Sequence, residues 1–346
     1  MTAPTVTVIV LNHNGMAFLK GCFDSLLAAT YPDTEILMVD NGSTDDSVSF
    51  VERNYPTVVV IHSGGNIGYS AANNLGIRHA RGEYAVLLNN DVEVTPGWLE
   101  PLVEEFELDS KVGACQPKLL HGINRTSFEY AGAAGGFMDR LGYPYLRGRV
   151  FSTIEEDRGQ YNTSIDLFWA SGAALAIRKE ALTGAGELDE DFVHHMEEID
   201  LCWRLHLQGY RLRVRTDSVV YHHAGGTIKP DNFRKIYWNH RNSVFMLMKN
   251  YSVSRLLWVL PLRILLDVTL VLKSLASLDF KRVVAVVAAY GWLGLHPLLI
   301  YRKRREVQNQ RKVGDQVIGT LLYPVSLVFS YYIRGKKTFT DIVEEA

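Results

Sequence analysis

The chain contains 346 residues, of which 47% are hydrophobic and 21% charged, as expected for a globular protein with a sizeable core. Its formal net charge of −2 argues against a nucleic-acid partner, and its three widely spaced cysteines argue against a disulfide framework or a structural zinc site. The charge is nevertheless uneven, because residues 251–346 hold 14 Lys/Arg and 7 Asp/Glu whereas residues 1–250 hold 22 and 31. We therefore predict an acidic domain at 1–250 and a basic region at 251–346 that meets an anionic partner.

Apolar, β-branched runs alternate with helical patterns in the first part of the chain. The predicted strands are Thr5–Leu11, Glu35–Val39, Thr57–Ile61 and Tyr84–Leu88. This alternation predicts an α/β fold with a mostly parallel central sheet flanked by helices. Polar residues follow three of these runs, at Asn12, Asp40 and Asn89–Asp91. Ligands of such sheets bind beyond the carboxyl ends of the strands, so we expect these residues to gather at one edge, although a single Asp there is often only a cap or turn residue.

The middle of the chain is less regular. Two glycine-rich segments, Gly132–Gly136 and Gly142–Gly148, predict loops. A helical pattern follows from Glu197 to Leu207, and short strands then lead to His222 and His223.

The region after Tyr251 combines long uncharged stretches with basic clusters. Val283–Tyr301 has no charged residue and is followed by Arg302–Arg305, and Val317–Ile333 is a second uncharged stretch. We expect interfacial or re-entrant helices with basic flanks on anionic lipid, at the cytoplasmic face of the cell membrane. One or two true spans and a buried soluble helical domain are the alternatives. On the first interpretation, a fragment ending near Asn250 is expected to be mostly soluble.

Six short motifs occur in a recognisable order along the chain. They are Val8–Asn14, Val39–Asp45, Gly65–Gly76, Leu87–Asp91, Glu197–Arg204 and Tyr221–Thr227. With them the chain resembles the family 2 glycosyltransferases of the GT-A fold, and in particular bacterial rhamnosyltransferase-like members, over roughly residues 4–250. The resemblance implies an inverting transfer of a sugar, with rhamnose as the first guess, from a nucleotide diphosphate donor. The acceptor would be a hydroxyl of a cell-envelope glycan or lipid-linked saccharide.

A diphosphate leaving group needs a compensating positive charge, most simply a divalent cation held by hard ligands. The resemblance implies that Asp91 and His222 hold Mg²⁺ or Mn²⁺, with His223 as the weaker candidate. The chain has Asn89-Asn90-Asp91 where family members often have Asp-x-Asp. Asn89 can hydrogen-bond a ribose hydroxyl but brings no charge to the ion.

The acceptor hydroxyl must lose its proton during the attack, and a carboxylate is the usual base. Glu198 stands where the family has its catalytic Asp, and Glu197 is the alternative. Both acids would also be favourable at a helix N-terminus without any catalytic role.

The resemblance also implies binding residues. The predicted nucleotide-sugar contacts are Asn12, Asp40, Asn66, Gly68, Asn74, Asn89, Asn90 and Arg241. The predicted acceptor contacts are Trp169, Ser171 and Gly172. Arg241 and its neighbour Asn242 would belong to a lid over the diphosphate, and Trp169 would either stack on a sugar or lie in the core. The alternative functions are a nucleotidyltransferase of similar fold and a catalytically inactive membrane scaffold.

Overall fold

The computed structural model describes residues 4–223 and 232–344, so the end of the Tyr221–Thr227 motif lies outside the described residues. The strands are β1 Val6–Asn12, β2 Thr34–Asp40, β3 Val59–His62, β4 Tyr84–Asn89, β5 Val92–Val94, β6 Val112–His121, β7 Gly136–Met138, β8 Pro144–Leu146, β9 Arg149–Val150, β10 Thr153–Ile154, β11 Asp166–Leu167, β12 Ala174–Arg178 and β13 Arg211–His222. The helices are α1 Met16–Leu27, α2 Ser47–Asn54, α3 Tyr69–His79, α4 Leu99–Leu108, α5 Lys179–Ala185, α6 Glu197–Leu207, α7 Phe233–Asn250, α8 Val253–Ala276, α9 Phe280–Leu295, α10 Pro297–Gln310, α11 Asp315–Leu321, α12 Leu327–Tyr332 and α13 Phe339–Val343.

The central sheet has nine strands in the order β11-β13-β6-β12-β4-β1-β2-β3, with β5 paired to β13. Strands β4, β1, β2 and β3 are parallel, as predicted, but β12 runs antiparallel to both of its neighbours, and β5 and β11 run antiparallel to β13. Strands β1, β2, β3, β4, β6 and β13 thus all run in one direction, which confirms the prediction of a mostly parallel sheet, with β5, β11 and β12 as the antiparallel exceptions. Strand β12 runs antiparallel because an irregular segment, without the helix of a parallel crossover, connects β6 to β12.

That connecting segment folds into a second, smaller sheet. Strands β7 to β10 pair in chain order as an antiparallel sheet of four short strands. Strand β8 lies within the predicted loop Gly142–Gly148, and β7 begins at the end of the predicted loop Gly132–Gly136. Short strands separated by tight turns carry little apolar alternation, which is why the pattern did not reveal them.

The two faces of the central sheet carry separate apolar layers. Val8 and Val10 of β1 pack with Leu19 and Phe23 of α1 on one face, whereas Ile9 belongs to the layer on the opposite face. This alternation follows from the two-residue period of a strand. The carboxyl ends of β1, β2 and β4 carry polar residues, Asn12, Asp40 and Asn89, in place of these apolar side chains.

The region after residue 250 shares the core of the catalytic part. Its buried side chains include Val259, Leu293, Ile300, Tyr323 and Phe339, and they lie in the same cluster as the apolar residues of α6 and α7. The predicted boundary at 250 is thus a change in composition and not a break in packing. The expectation of a soluble fragment ending there loses its basis.

Helix α8 buries charged side chains and exposes apolar ones, the opposite of the usual arrangement of a surface helix. Arg263 and Asp267 are each only 2% exposed and form an ion pair with a 3.1 Å separation. Leu257, Leu265 and Leu272 on the outer face are 74%, 60% and 61% exposed. Among the described residues, no individual helix meets the length and hydropathy needed to cross a bilayer, and only α9 with α10, bent by 74°, does so as a pair.

Candidate active site

Polar side chains at the ends of β1, β2 and β4 form one hydrogen-bonded network. The buried Asn12 donates to Ser43 Oγ at 3.1 Å and accepts from Asn90 Nδ2 at 2.7 Å. Asp40 Oδ1 accepts from the Ser43 amide at 3.2 Å. The sequence-predicted residues Asn12, Asp40 and Asn90 therefore do meet at one edge of the sheet.

The glycine-broken loop before α3 joins this network through Asn41. The Asn41 side chain donates to Asn66 Oδ1 at 3.3 Å and accepts from the Ile67 amide at 2.9 Å. Gly68 precedes α3 with a φ of 88°, a conformation that favours glycine. Asn66 and Gly68 thus lie beside the strand ends, as predicted for residues that contact a nucleotide.

Asp91 and His222 lie together beyond these strand ends. His222 Nε2 is 3.0 Å from Asp91 Oδ1, because β5 pairs with the end of β13 in register. On its other side, His222 Nδ1 is 3.1 Å from Oε1 of the buried Glu129. His223 contacts Glu93 instead, at 2.9 Å. His222, the histidine that the resemblance favoured over His223, is therefore the one in contact with Asp91.

The charges of this cluster are strongly coupled. Burial opposes the charge of the His222 imidazole, but the hydrogen bond to Asp91 and the nearby acidic group of Glu129 raise its pKa to about 10. Burial also opposes ionisation of Asp91, while the hydrogen bond from His222 holds the Asp91 pKa below its usual range. Without a bound cation the histidine acts as the positive partner of two carboxylates.

The Asp91–His222 pair fits a divalent cation that is completed by other ligands. No group of three or more His, Cys, Asp or Glu side chains suited to a metal occurs within residues 4–223 and 232–344. A carboxylate and an imidazole suit Mn²⁺ or Mg²⁺ when phosphate oxygens and water fill the remaining positions. Glu129 Oε1 and His222 Nδ1 are buried and lack a well-formed hydrogen bond, so a small movement on binding would let the carboxylate orient the ring.

Glu197 and Glu198 open helix α6, and both have buried Oε2 atoms with no hydrogen-bond partner. Burial, and then repulsion from Glu198, raises the pKa of Glu197 far above its usual range. Burial raises the pKa of Glu198 to about 7, against backbone hydrogen bonds that lower it. Both carboxyl groups therefore hold a proton more tightly than a solvent-exposed Glu does.

Tyr69 lies near both Asp91 and these carboxylates. Its hydroxyl donates to the Gly172 carbonyl at 2.9 Å. Burial raises its pKa well above the ordinary value, and the charges of Glu197, Glu198 and Asp91 raise it further. A Cβ built on Gly172 would lie 2.8 Å from the Tyr69 hydroxyl and 3.6 Å from Glu198 Cβ. Gly172 therefore permits close contact between β12's leading turn, α3 and α6.

Comparisons with known proteins identify the family of the chain. Residues 7–183 match the model of glycosyl transferase family 2. The chain belongs to glycosyl transferase family 2.

Relatives of this family member include proteins that build bacterial surface saccharides. It is 30% identical over 240 residues to the O-antigen biosynthesis protein RfbC of Myxococcus xanthus, covering 68% of this chain but only 18% of RfbC. It is 25% identical over 282 residues to an N-acetylglucosaminyl-diphospho-decaprenol L-rhamnosyltransferase of Mycobacterium tuberculosis, covering 77% of this chain and 91% of that relative.

Solved structures support the GT-A fold of this family member. GalNAc-T7 with UDP, GalNAc and Mn²⁺ superposes with a TM-score of 0.57 at 18% identity, over 73% of this chain and 49% of that one. The mannosyltransferase PcManGT of Pyrobaculum calidifontis, in complex with GDP-Man and Mn²⁺, superposes with a TM-score of 0.50 at 15% identity. This match covers 92% of this chain and 87% of PcManGT. At these identities the likeness concerns the fold alone.

Not every predicted contact of this glycosyl transferase lies at the edge of the sheet. The Asn74 side chain donates to the Leu188 carbonyl at 2.9 Å and accepts from its amide at 3.0 Å, so it holds a loop. Trp169 is buried and donates to the Phe137 carbonyl at 2.8 Å, which agrees with the core alternative and not with stacking on a sugar. The buried Ser171 and Gly172 lie behind Tyr69 and Glu198.

Arg241 lies in helix α7 and not in a lid. Its guanidinium donates to the Asp191 and Phe192 carbonyls at 2.5 and 2.9 Å and lies 4.5 Å from the ring centre of Trp292. These backbone and ring contacts occupy the group that was expected to bind diphosphate. The interpretation of Arg241 and Asn242 as a flexible lid is wrong.

Sequence reasoning missed Tyr69 and Glu129. Tyr69 stands inside the Gly65–Gly76 motif, where an aromatic residue at a helix start was the available signal. Glu129 lies in an irregular segment without a motif, and only the pairing of β6 with β13 brings it to His222.

Proposed function

We propose that this protein transfers a sugar, with rhamnose as the first candidate, from a nucleotide diphosphate donor to a hydroxyl of a lipid-linked or other cell-envelope saccharide, with inversion. The observation that carries this proposal is the pair of unpartnered carboxylate oxygens of Glu197 and Glu198 beside Tyr69. A buried polar atom without a hydrogen-bond partner needs an explanation, and a bound substrate hydroxyl would provide the missing partner here. The rhamnosyltransferase relative supports the choice of sugar and a diphospho-polyprenol type of acceptor.

The chemistry follows from the positions of these groups. The acceptor oxygen forms a bond to the anomeric carbon while the bond from that carbon to the diphosphate oxygen breaks. Glu198 takes the hydroxyl proton, and Glu197 beside it is the alternative base; burial raises the pKa of both carboxyl groups, which suits proton transfer near neutral pH. Attack from the face opposite the diphosphate inverts the anomeric configuration.

The donor binds at the strand ends. Asp40 and Asn66 would contact the nucleoside, and Asn12, Asn89 and Asn90 lie towards the diphosphate. Asp91 and His222 would hold Mg²⁺ or Mn²⁺, which neutralises charge on the departing diphosphate when bound. Glu129 would orient the His222 ring through Nδ1.

We further propose that the protein works at the cytoplasmic face of the membrane, resting on α8 and α9. The outward side chains of α8 recur at helical spacing and are Leu257, Leu265, Val268 and Leu272, all well exposed. On α9, Phe280, Val284 and Val287 continue this apolar surface. An exposed apolar surface of this kind fits the interface of a bilayer, where a lipid-linked acceptor is presented.

A donor screen tests the proposed activity. The purified full chain is incubated with Mn²⁺, a short-chain polyprenyl-diphosphate sugar and a panel of nucleotide diphosphate sugars, and nucleoside diphosphate release is measured. We expect one donor to dominate, release to need the acceptor, and NMR to show an inverted anomeric centre in the product. Pyrophosphate release from a nucleoside triphosphate and a sugar phosphate would instead establish the nucleotidyltransferase alternative.

A further inference from the structure

The loop that leads into the catalytic helix has an unusual backbone. Val193, His195 and Met196 have φ values of 62°, 68° and 73°, a region that residues with a Cβ rarely adopt. Met196 is the residue directly before α6, and Glu197 and Glu198 come next. Such conformations persist only where the surroundings hold them, and they cluster at functional sites.

Two neighbouring side chains of α7 hold this loop from behind. Asn242 Nδ2 lies 2.8 Å from the Phe192 carbonyl, 2.8 Å from that of His194 and 2.7 Å from that of His195. Arg241 donates to the Asp191 and Phe192 carbonyls, and its Nε donates to Asn242 Oδ1 at 2.6 Å. Both side chains are buried.

This arrangement engages Nε and Nη2 of Arg241 and both the nitrogen and the oxygen of the Asn242 amide. The amide nitrogen of Asn242 has two hydrogens and faces three carbonyls, while its oxygen is taken by Arg241. The backbone groups that they satisfy belong to the segment immediately before the two catalytic carboxylates. Neither side chain touches Glu198, so any influence on it must pass through the loop.

The support behind these side chains comes from the C-terminal helices. The Arg241 guanidinium lies over Trp292 of α9, and Ser243 Oγ accepts from Arg263 of α8 at 2.7 Å. Lys303 of α10 pairs with Asp189 at 2.7 Å and with Asp191 at 2.9 Å, at the start of the same loop. The loop is therefore fixed between α7 and α10.

We propose that Arg241 and Asn242 are positioning residues that hold the 191–196 backbone in the conformation that aims Glu198 at the acceptor hydroxyl. This inference rests on the proposed sugar transfer and replaces the earlier expectation that Arg241 contacts the donor. A displacement of a catalytic group by about 1 Å can lower turnover about 100-fold, so the strained backbone has a direct consequence for the rate.

The test compares Asn242→Ala with Asn250→Ala. Asn250 is equally buried in the same helix, but its amide donates to Asp200 at 2.8 Å instead of the loop. We expect kcat of Asn242→Ala to fall about 100-fold. The affinity for the donor selected by the screen, measured by calorimetry, should stay within about threefold because no donor contact is lost. The Asn250 variant should keep kcat near the parent value at a comparable loss of melting temperature.

A second variant keeps the test decisive if Asn242→Ala fails to fold. Arg241→Lys retains the charge but has no planar fork for two carbonyls and Asn242 Oδ1 together. It should also lose kcat and keep donor affinity. Equal kcat in the Asn242 and Asn250 variants, or donor affinity that falls in parallel with kcat, would overturn the inference while the parent protein still transfers sugar. A parent protein that neither binds a donor nor transfers sugar would overturn the proposed function and this inference with it.

Discussion

Glu198 and Glu197 are neighbours with different expected roles. Glu198→Gln keeps the shape of the side chain but cannot accept a proton, so we expect kcat to fall about 10²–10⁴-fold with unchanged donor affinity. Glu197→Gln is the matched control, because burial and repulsion from Glu198 already disfavour the charged form of Glu197. Its turnover should stay within about tenfold of the parent enzyme. The reverse ranking of the two variants would transfer the role of base to Glu197.

The raised pKa of Glu198 predicts a pH dependence near neutrality. Burial disfavours its charged form, so the carboxyl is protonated below a pH of about 7 and cannot act as a base there. We expect kcat to decrease about tenfold per pH unit on the acid side of that value and to level off above it. The step should be absent from the residual activity of Glu198→Gln. A parent profile that is flat between pH 5.5 and 7.5 would contradict the assignment.

Glu129 is expected to act through His222. Glu129→Gln removes the carboxylate at 3.1 Å from His222 Nδ1 but preserves the side-chain volume. Loss of such an orienting partner commonly weakens a metal site about 10–100-fold, and we expect that change in Mn²⁺ affinity, measured by calorimetry with nucleoside diphosphate present. Glu93→Gln is the control, since Glu93 contacts His223 instead. Identical Mn²⁺ affinity in both variants would exclude this role for Glu129.

The residues that sequence reasoning found are those that local chain patterns place. Asp91 and His222 each follow an apolar run, and parallel strand ends bring such residues to one edge. Tertiary packing sets the positions of Tyr69, Glu129 and Asn242. No periodic pattern along the chain predicts those positions. Trp169 shows the same limit, because an aromatic residue beside a motif is equally compatible with a core and with a sugar site.

At the scale of elements, the helical patterns and the common direction of most strands were predicted well, whereas the antiparallel strands β5, β11 and β12 were not. The segments around α1, α3 and α6 have clear apolar spacing, and all three helices are present. The direction of β12 depends on a long irregular connection whose path has no sequence signal. The basic cluster at Arg302–Arg305 presents a similar problem, because α10 turns its members in different directions.

The basic cluster of α10 is divided between two roles. Arg302 and Arg305 are exposed, whereas Lys303 pairs with Asp189 and Asp191, and Arg304 donates to the Met248 and Tyr251 carbonyls. We expect Arg302→Gln with Arg305→Gln to weaken binding to anionic vesicles by up to about 30-fold, at roughly 1 kcal/mol for each charge. Binding to neutral vesicles should change little. Co-sedimentation measures both.

Lys303→Gln is the matched variant from the same cluster. It should leave vesicle binding nearly unchanged and lower the free energy of unfolding by about 1–3 kcal/mol, since it removes charged hydrogen bonds from Asp189 and Asp191. Chemical denaturation measures that loss. Equal effects of Lys303 and of the exposed arginines on vesicle binding would contradict the division of the cluster.

At the scale of the molecule, the catalytic part and the C-terminal helices are one folding unit. Removal of residues 251–346 would expose the apolar face of α7, including Phe245, which packs on Trp292. The truncated protein and the full chain are prepared in the same mild detergent. We expect the truncated protein to aggregate, whereas the full chain should stay dispersed and melt cooperatively. Centrifugation and circular dichroism provide the measurement. A soluble fragment with a cooperative melting transition would restore the boundary at residue 250.

The reversed faces of α8 also bear on how the enzyme would encounter its acceptor. A protein whose leucine-rich helix lies in the lipid interface searches for a lipid-linked partner by diffusion in two dimensions. Its apparent KM would then follow the mole fraction of acceptor in the bilayer and not the acceptor concentration in the whole sample. At a constant total amount of acceptor, adding inert lipid lowers its mole fraction in the bilayer and should slow the reaction. Adding buffer lowers only its concentration in the whole sample and should not.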